Sequence, residues 1–450
     1  MTLNAAAVLP PLAAAAEIDT GNTAWLLVST ALVLIMAPGL AIFYGGMVRS
    51  RGVLNMIMMT FGAFAVVLVV WTLVGYGIAF GDDVLGVFGN PSGYIGLSGQ
   101  IAEVTDGGQP VLLFAMFQSL FCVITAALVS GAIADRAHFG SWLVFVALWT
   151  VFVYAPMAHM TFGSGFLLDK LAVIDYAGGQ AVEITSGASA LALALVLGKR
   201  IGFGRDPMRP HNLTLVMLGA GLLWFGWIGF NAGSALAADG SAAAILTATI
   251  LAGCTGIFGW LLVERFRDGH ATSLGAASGL VAGLVAITPS CGSVTPLGSM
   301  IVGLAAGAVC AWAVGLKYRF GYDDSLDVVG VHGVGGVVGM LAIGLIGSAE
   351  APTGVAGLFY GGGVDQLGRQ AVGIVFAAVF AFVVSYVLAV LVQRTMGFRV
   401  ADDDEISGID LVIHAENAYD LHSTSGSRSP SGAAGAGGPV IPRGNLGQDG

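Results

Sequence analysis

The sequence predicts an all-α polytopic membrane protein of eleven transmembrane helices, built as a five-plus-five inverted repeat with one final helix. Three observations predict it. Of the 450 residues, 56% are hydrophobic and 10% charged, whereas a soluble domain carries charge on about a quarter of its residues. The apolar residues come in runs of about 20, the length that crosses a bilayer core. A short stretch of the fifth run is echoed in the tenth. The 69 glycines suit helices packed in lipid, where small residues let backbones approach.

In chain order the apolar runs cover 24–46, 53–80, 111–133, 141–163, 181–198, 213–235, 242–264, 272–288, 296–317, 329–348 and 369–394. An odd number puts the termini on opposite sides. Arg49, Arg51, Arg136, Lys199, Arg200, Arg205, Arg209, Arg265, Arg267, Lys317, Arg319, Arg394 and Arg399 fall on one side, and Lys170 and Arg369 on the other. The positive-inside rule then makes the C-terminus cytoplasmic and the N-terminus external. Residues 1–23 form an extracytoplasmic segment ahead of the membrane domain, 24–398. The residues up to Ala16 end in small side chains as a signal peptide does, but they lack a basic start and Pro10-Pro11 interrupts their apolar core, which argues against cleavage.

Residues 399–422 mix acidic and apolar side chains and are expected to fold against the cytoplasmic face, whereas 423–450, rich in Ser, Gly and Pro, read as a disordered tail. The net charge of −10 is concentrated in loops and in the run Asp402 to Glu405, and offers nothing to nucleic acid.

Two halves of five spans must run in opposite senses, a design found in many transporters. The echo fits that division. Val182-Glu183-Ile184-Thr185-Ser186-Gly187 aligns with Val331-His332-Gly333-Val334-Gly335-Gly336, each after an aspartate at a span mouth, read as Asp175 and Asp327. The alignment makes Glu183 and His332 equivalent and brings them together near the midplane.

An ionisable group inside a span is unfavourable unless a partner or a water path relieves it, so Glu183 and His332 are the first candidates for function. The alternative is a structural pair that locks two helices. His159, near the outer end of the fourth span, reads as a satisfied packing histidine. Phe117, Gln118 and Phe121 recur at helical spacing in the third span, as do Trp227, Phe230, Asn231 and Ser234 in the sixth. Such stripes are commonly lipid contacts or core; the other reading stacks Phe121 on Phe230 as a constriction, with Ser234 as a hydroxyl acceptor and ring faces that attract a small cation. The four cysteines, Cys122, Cys254, Cys291 and Cys310, have no metal-like spacing. No nucleotide-binding loop, metal pair or activated nucleophile is found, so neither catalysis nor a cofactor is expected.

Several blocks resemble one family. The run Asp175 to Gly187 continuing to Gly198-Lys199-Arg200, together with Phe43-Tyr44-Gly45-Gly46, Gly229-Phe230-Asn231-Ala232-Gly233-Ser234, Thr288-Pro289-Ser290-Cys291-Gly292 and Asp323 to Gly333, is similar to the signature blocks of ammonium transporters of the Amt/Mep/Rh family. The matches run in order from about residue 24 to 419. The resemblance implies a homotrimer in the cell membrane, each subunit with its own pore, carrying ammonium inward from a periplasmic vestibule. It makes Phe121 and Phe230 a stacked gate, places Ser234 and Phe162 at an outer recruitment site with Asp175 buried nearby, and makes Glu183 and His332 the pore pair. Phe43, Phe117, Gln118 and Trp227 would line the path.

Two positions depart from the family's bacterial archetype, which has histidine where this chain has Glu183 and tryptophan where it has Phe162. The segment with Gly408, Asp410, His414, Glu416 and Tyr419 resembles the family's C-terminal regulatory motif, which contacts a neighbouring subunit and a PII signalling protein; Ala415 replaces a glycine there. By that resemblance 399–422 is a regulatory segment. An ammonium ion in an apolar pore loses far more hydration energy than a few cation–π contacts of about 1–2 kcal/mol return, so deprotonation and passage of neutral ammonia is the expected route. An ammonium sensor and a passive gas channel of the Rh type are the alternatives.

Overall fold

The computed structural model describes residues 17–419. Eleven helices among them are long and apolar enough to cross a membrane: Thr20–Met47, Val53–Phe80, Val111–Ile133, Phe139–Asp169, Gly179–Leu197, Leu213–Gly233, Gly240–Arg267, Ser273–Ser290, Pro296–Phe320, Val329–Ile346 and Asp365–Met396. In chain order these are the first to eleventh spans. Together they form the inverted five-plus-five arrangement with a last span, as the sequence predicts. The expected disordered tail and the stretch up to Ala16 lie outside the described residues. Contacts divide the chain into a unit ending at Ala418 and a second unit beginning at Tyr419, of which Tyr419 alone is described.

Several spans outrun their apolar cores. The eleventh covers 32 residues, about 48 Å at 1.5 Å per residue, rather than 369–394. The reason is local: a helix stops where its terminal groups find caps, not where hydrophobicity stops. Asp19 accepts from Asn22 N at 2.8 Å and starts the first span four residues ahead of its expected start at 24, and Asp239 accepts from Ser241 N and Ala242 N at 2.9 and 3.1 Å ahead of the seventh. Along the eleventh span Val372, Val375, Val379, Val383 and Val387 are exposed, which is the pattern of a lipid-facing stripe.

The fifth and tenth spans cross in close contact. A Cβ added to Gly187 would lie 2.4 Å from the Gly333 Cα, so only glycine permits this approach. Both spans open with a π-helical turn, Gly179–Ile184 in one and Val329–Gly333 in the other. Glu183 and His332 lie 149 residues apart, and the same offset carries Asp175 onto Asp324. The equivalent of Asp175 is therefore Asp324, and not Asp327 as the sequence reading had it. The bonds agree. Asp175 accepts from the N–H groups of Gly178, Gly179, Gln180 and Ala181, and Asp324 from those of Val328 and Val329, whereas Asp327 has a left-handed backbone (φ 65°) and pairs with Lys317.

Candidate functional site

Outside the bundle's narrowest point lies a pocket of about 250 Å³ whose lining includes Phe80, Phe114, Gln118, Phe121, Thr161, Phe162, Asp175, Tyr176 and Ser234. Its floor is aromatic. Phe121 and Phe230 are buried and stack with ring centroids 4.0 Å apart and planes inclined by 24°. Phe121 comes from the third span and Phe230 from the sixth, and Phe117, one turn before Phe121, meets it edge-on at 4.9 Å. Phe117 therefore supports the stack from behind and lines neither this pocket nor the cavity beneath it. Gln118 lines the pocket above the stacked rings and not the cavity beneath them.

Ser234 donates its hydroxyl proton to the Phe230 carbonyl at 2.8 Å. That bond leaves the oxygen lone pairs as acceptors for an N–H donor in the pocket. Asp175 is committed differently: its carboxylate accepts from four consecutive backbone N–H groups, at 2.5 to 3.2 Å. Burial pushes its carboxyl above the usual range, against the four bonds that draw it down. Asp175 acts as the cap that starts the fifth span, and holds the turn that carries Glu183.

Beneath the stacked rings is a cavity of only about 10 Å³, lined in part by Phe43, Glu183, Trp227, Phe230 and His332. A cavity needs about 10–15 Å³ to hold a single water, so a hydrated cation does not fit. His332 Nδ1 lies 2.7 Å from Glu183 Oε2, and both side chains are buried. Such a bond needs one proton between the two atoms, carried either by the ring nitrogen or by the carboxyl. Glu183 Oε1 has no hydrogen-bond partner. The pair thus holds one shared proton and one free acceptor. Trp227 donates its indole N–H to Thr288 Oγ1 at 2.8 Å, which fixes the indole against the cavity.

At the other end a polar pocket of about 500 Å³ is lined by residues that include Arg200, Arg205, Asp206, Lys317 and Asp327. Lys317 bonds Asp327 at 2.6 Å, and Arg200 holds Asp323 through two contacts of 2.9 Å. Asp324, at the head of the tenth span, has its carboxyl pushed up to about 6, first by burial and then by Asp327, with Lys317 opposing.

The short helices Asp402–Ser407 and Ile409–His414 pack on this same face. Asp410 accepts from Leu54 N and Asn55 N at 3.0 and 2.8 Å and so caps the second span. His414 lies 3.0 Å from Asn55 Oδ1, Gly408 (φ 112°) sits against Arg51, and Glu416 is exposed. Buried Glu405 accepts from Ile201 N and Arg399 Nη2, each at 2.8 Å. Ala415 has φ 55°, the left-handed region that favours glycine.

Sequence reasoning missed Thr288, the added aromatic lining from Phe80, Phe114 and Tyr176, and Asp324. Thr288, Tyr176 and Asp324 lie inside the resembling blocks, where they were given no role, and the constant offset of 149 between the repeats also marks Asp324.

The family model described as Ammonium Transporter Family matches residues 24–419. A protein named ammonium transporter from Mycobacterium tuberculosis strain H37Rv is 54% identical over 442 residues, covering 92% of this chain and 93% of its own. The crystal structure of Saccharomyces cerevisiae Mep2 superposes with a TM-score of 0.80 at 34% identity, covering 86% of this chain and 89% of that one. A structure titled Sensor Amt Protein gives 0.81 at 26% identity, covering 87% and 98%.

Proposed function

The chain belongs to the Ammonium Transporter Family, and from that premise we propose that it takes ammonium from the outer pocket, removes a proton, and passes neutral ammonia inward past Phe121 and Phe230. The proton crosses separately through Glu183 and His332, giving net ammonium uptake. The observation that carries this reading is the 2.7 Å Glu183–His332 bond set in a cavity too small for a hydrated ion. Potassium, which has no proton to release, is refused on chemical grounds as well as by size.

In this reading Phe162, the ring faces of Phe121 and Phe230, and the Ser234 oxygen receive the cation, while Asp175 holds the site's scaffold. Phe43 and Trp227 line the path. The family points to a homotrimer in the cell membrane with an external N-terminus and a cytoplasmic C-terminus. Residues 24–398 are then the membrane domain and 399–422 a regulatory segment, in which Gly408, Asp410, His414, Glu416 and Tyr419 serve contact with a neighbouring subunit and with PII. Within one subunit, Asp410 and Glu405 already join that segment to the loops around the inner pocket.

Current recorded from proteoliposomes during an ammonium step tests the reading. Coupled uptake gives ammonium-dependent current, which a passive gas channel does not. The likeness to the structure titled as a sensor favours keeping a second reading, binding without transport. Ligand binding without any current would support it.

A further inference from the structure

His159 has no part in the path described above, yet its surroundings are chemically unusual. The imidazole is fully buried, with Nδ1 3.0 Å from the Ala79 carbonyl oxygen and Nε2 2.9 Å from Asp83 Oδ1. A carbonyl oxygen only accepts, so the first bond requires a proton on Nδ1. An ionised carboxylate also only accepts, so the second bond requires one further proton, on Nε2 or on the carboxyl. A histidine kept for packing needs one such partner, not two acceptors.

The three groups span the wall of the outer pocket. Ala79 precedes Phe80, and Thr161 and Phe162 follow His159 within a turn; all three of those line the pocket. Asp83 begins the external hairpin in which Asp83–Val84 pairs with Phe88–Gly89, and its carboxylate also accepts from Gly86 N at 2.9 Å. The Gly86 carbonyl in turn accepts from Phe166 N at 2.9 Å, beyond the end of the His159 helix. Asp83 is 42% exposed, so external water reaches the carboxylate while the ring stays dry. Tyr76, Tyr154, Asp169 and Glu183 are the other ionisable groups on elements packed against this helix, and none bonds the ring.

We propose that His159 and Asp83 form a proton-dependent latch that holds the hairpin and the Phe80–Phe162 wall of the outer pocket in place, and that releases them when external alkali removes the shared proton. Without that proton two lone pairs face each other at bonding distance, and the exposed carboxylate turns to water. His159 is thus a positioning residue for recruitment. The inference rests on the reading of the outer pocket as the receiving site.

Asp83→Asn separates the latch from plain packing, because an amide can donate to a neutral Nε2 while Nδ1 keeps its bond to Ala79. Amide hydrogen exchange on peptides covering 82–90 and 160–166, corrected for intrinsic base catalysis, reads the latch in the full chain in lipid nanodiscs. Wild type is expected to lose protection by about tenfold on alkalinisation, the effect of one charge-assisted hydrogen bond, and Asp83→Asn to stay protected. Equal behaviour of the two proteins overturns the latch, as does pH-invariant exchange in wild type. In parallel, the half-saturating ammonium-ion concentration should rise about threefold in wild type over the same range and not in Asp83→Asn. A current with pH-invariant half-saturation overturns the role in recruitment. Excess exchange with no current at any pH contradicts the transport reading and leaves the latch standing.

Discussion

At the head of the fifth span one aspartate gathers four backbone N–H groups, and at the head of the tenth its counterpart gathers two. Both caps hold a π-helical turn that carries an ionisable side chain to the same spot. Their settings differ. Asp175 sits beside a pocket walled by aromatic rings, and Asp324 beside Lys317, Asp327 and the Arg200–Asp323 pair. The two halves therefore share the backbone device and differ in the chemistry around it, aromatic at one end of the bundle and ionic at the other. Glu183 and His332 show the same split, a carboxyl from one half and an imidazole from the other.

The comparison breaks most visibly if the caps are removed. Asp175→Ala leaves four buried N–H groups without partners, at about 1–3 kcal/mol each, and is expected to yield no stable protein. Asp324→Ala leaves two, so the expected loss is about half and a folded protein with a lowered melting temperature in detergent. Equal melting temperatures for the two variants would show that the caps do not carry the turns.

The aromatic floor is the next difference to test. Phe230→Ala removes half of the stack and opens the outer pocket to the small cavity, so current should persist while discrimination against potassium falls by tenfold or more, on the order of 1.4 kcal/mol. Unchanged selectivity would show that the rings are packing alone.

A smaller effect is expected at Phe162. Phe162→Trp supplies a stronger ring face and an N–H donor, and should lower the half-saturating ammonium concentration by about two- to fivefold. No change would remove this ring from recruitment. Smallest is the pH signature of the inner cap. Asp324 has a folded-state value of about 6, above its ordinary 3.8. A carboxyl raised in this way adds stability that is fully present below the ordinary value and is lost as pH rises through about 6. Asp324→Asn should flatten the melting temperature against pH across that window, and an unaltered slope would assign the titration elsewhere.

The sequence carried the eleven spans and their order because lipid demands about 20 apolar residues per crossing, a signal that survives in one chain. Span ends were less legible, since Asp19 and Asp239 cap helices from outside the apolar runs. Glu183 and His332 were legible as ionisable groups at equivalent positions; their separation was not, because it depends on the Gly187–Gly333 crossing. Asp327 drew attention for its place just ahead of the tenth span, although the offset of 149 already pointed to Asp324. Phe117 and Gln118 share a helical stripe with Phe121, but helical spacing alone does not tell which side of the stack each residue occupies. The double acceptor around His159 lies in the backbone carbonyl of Ala79 and a hairpin turn, neither of which has a periodic signature.

The central claim is that Glu183 and His332 relay a proton rather than lock two helices. The most direct measurement is ammonium-driven current against pH, with potassium as competitor, for wild type, Glu183→Gln and Glu183→His in proteoliposomes, each checked for intact assembly in detergent. Glu183→Gln keeps the size and the hydrogen bond but cannot release a proton, so its current should vanish or lose selectivity against potassium. Glu183→His should carry current with a shifted pH dependence, because a base of reference pKa about 6.5 replaces an acid of about 4.3. A well-folded Glu183→Gln protein with selective, wild-type current at every pH would contradict the relay and leave the pair a structural lock.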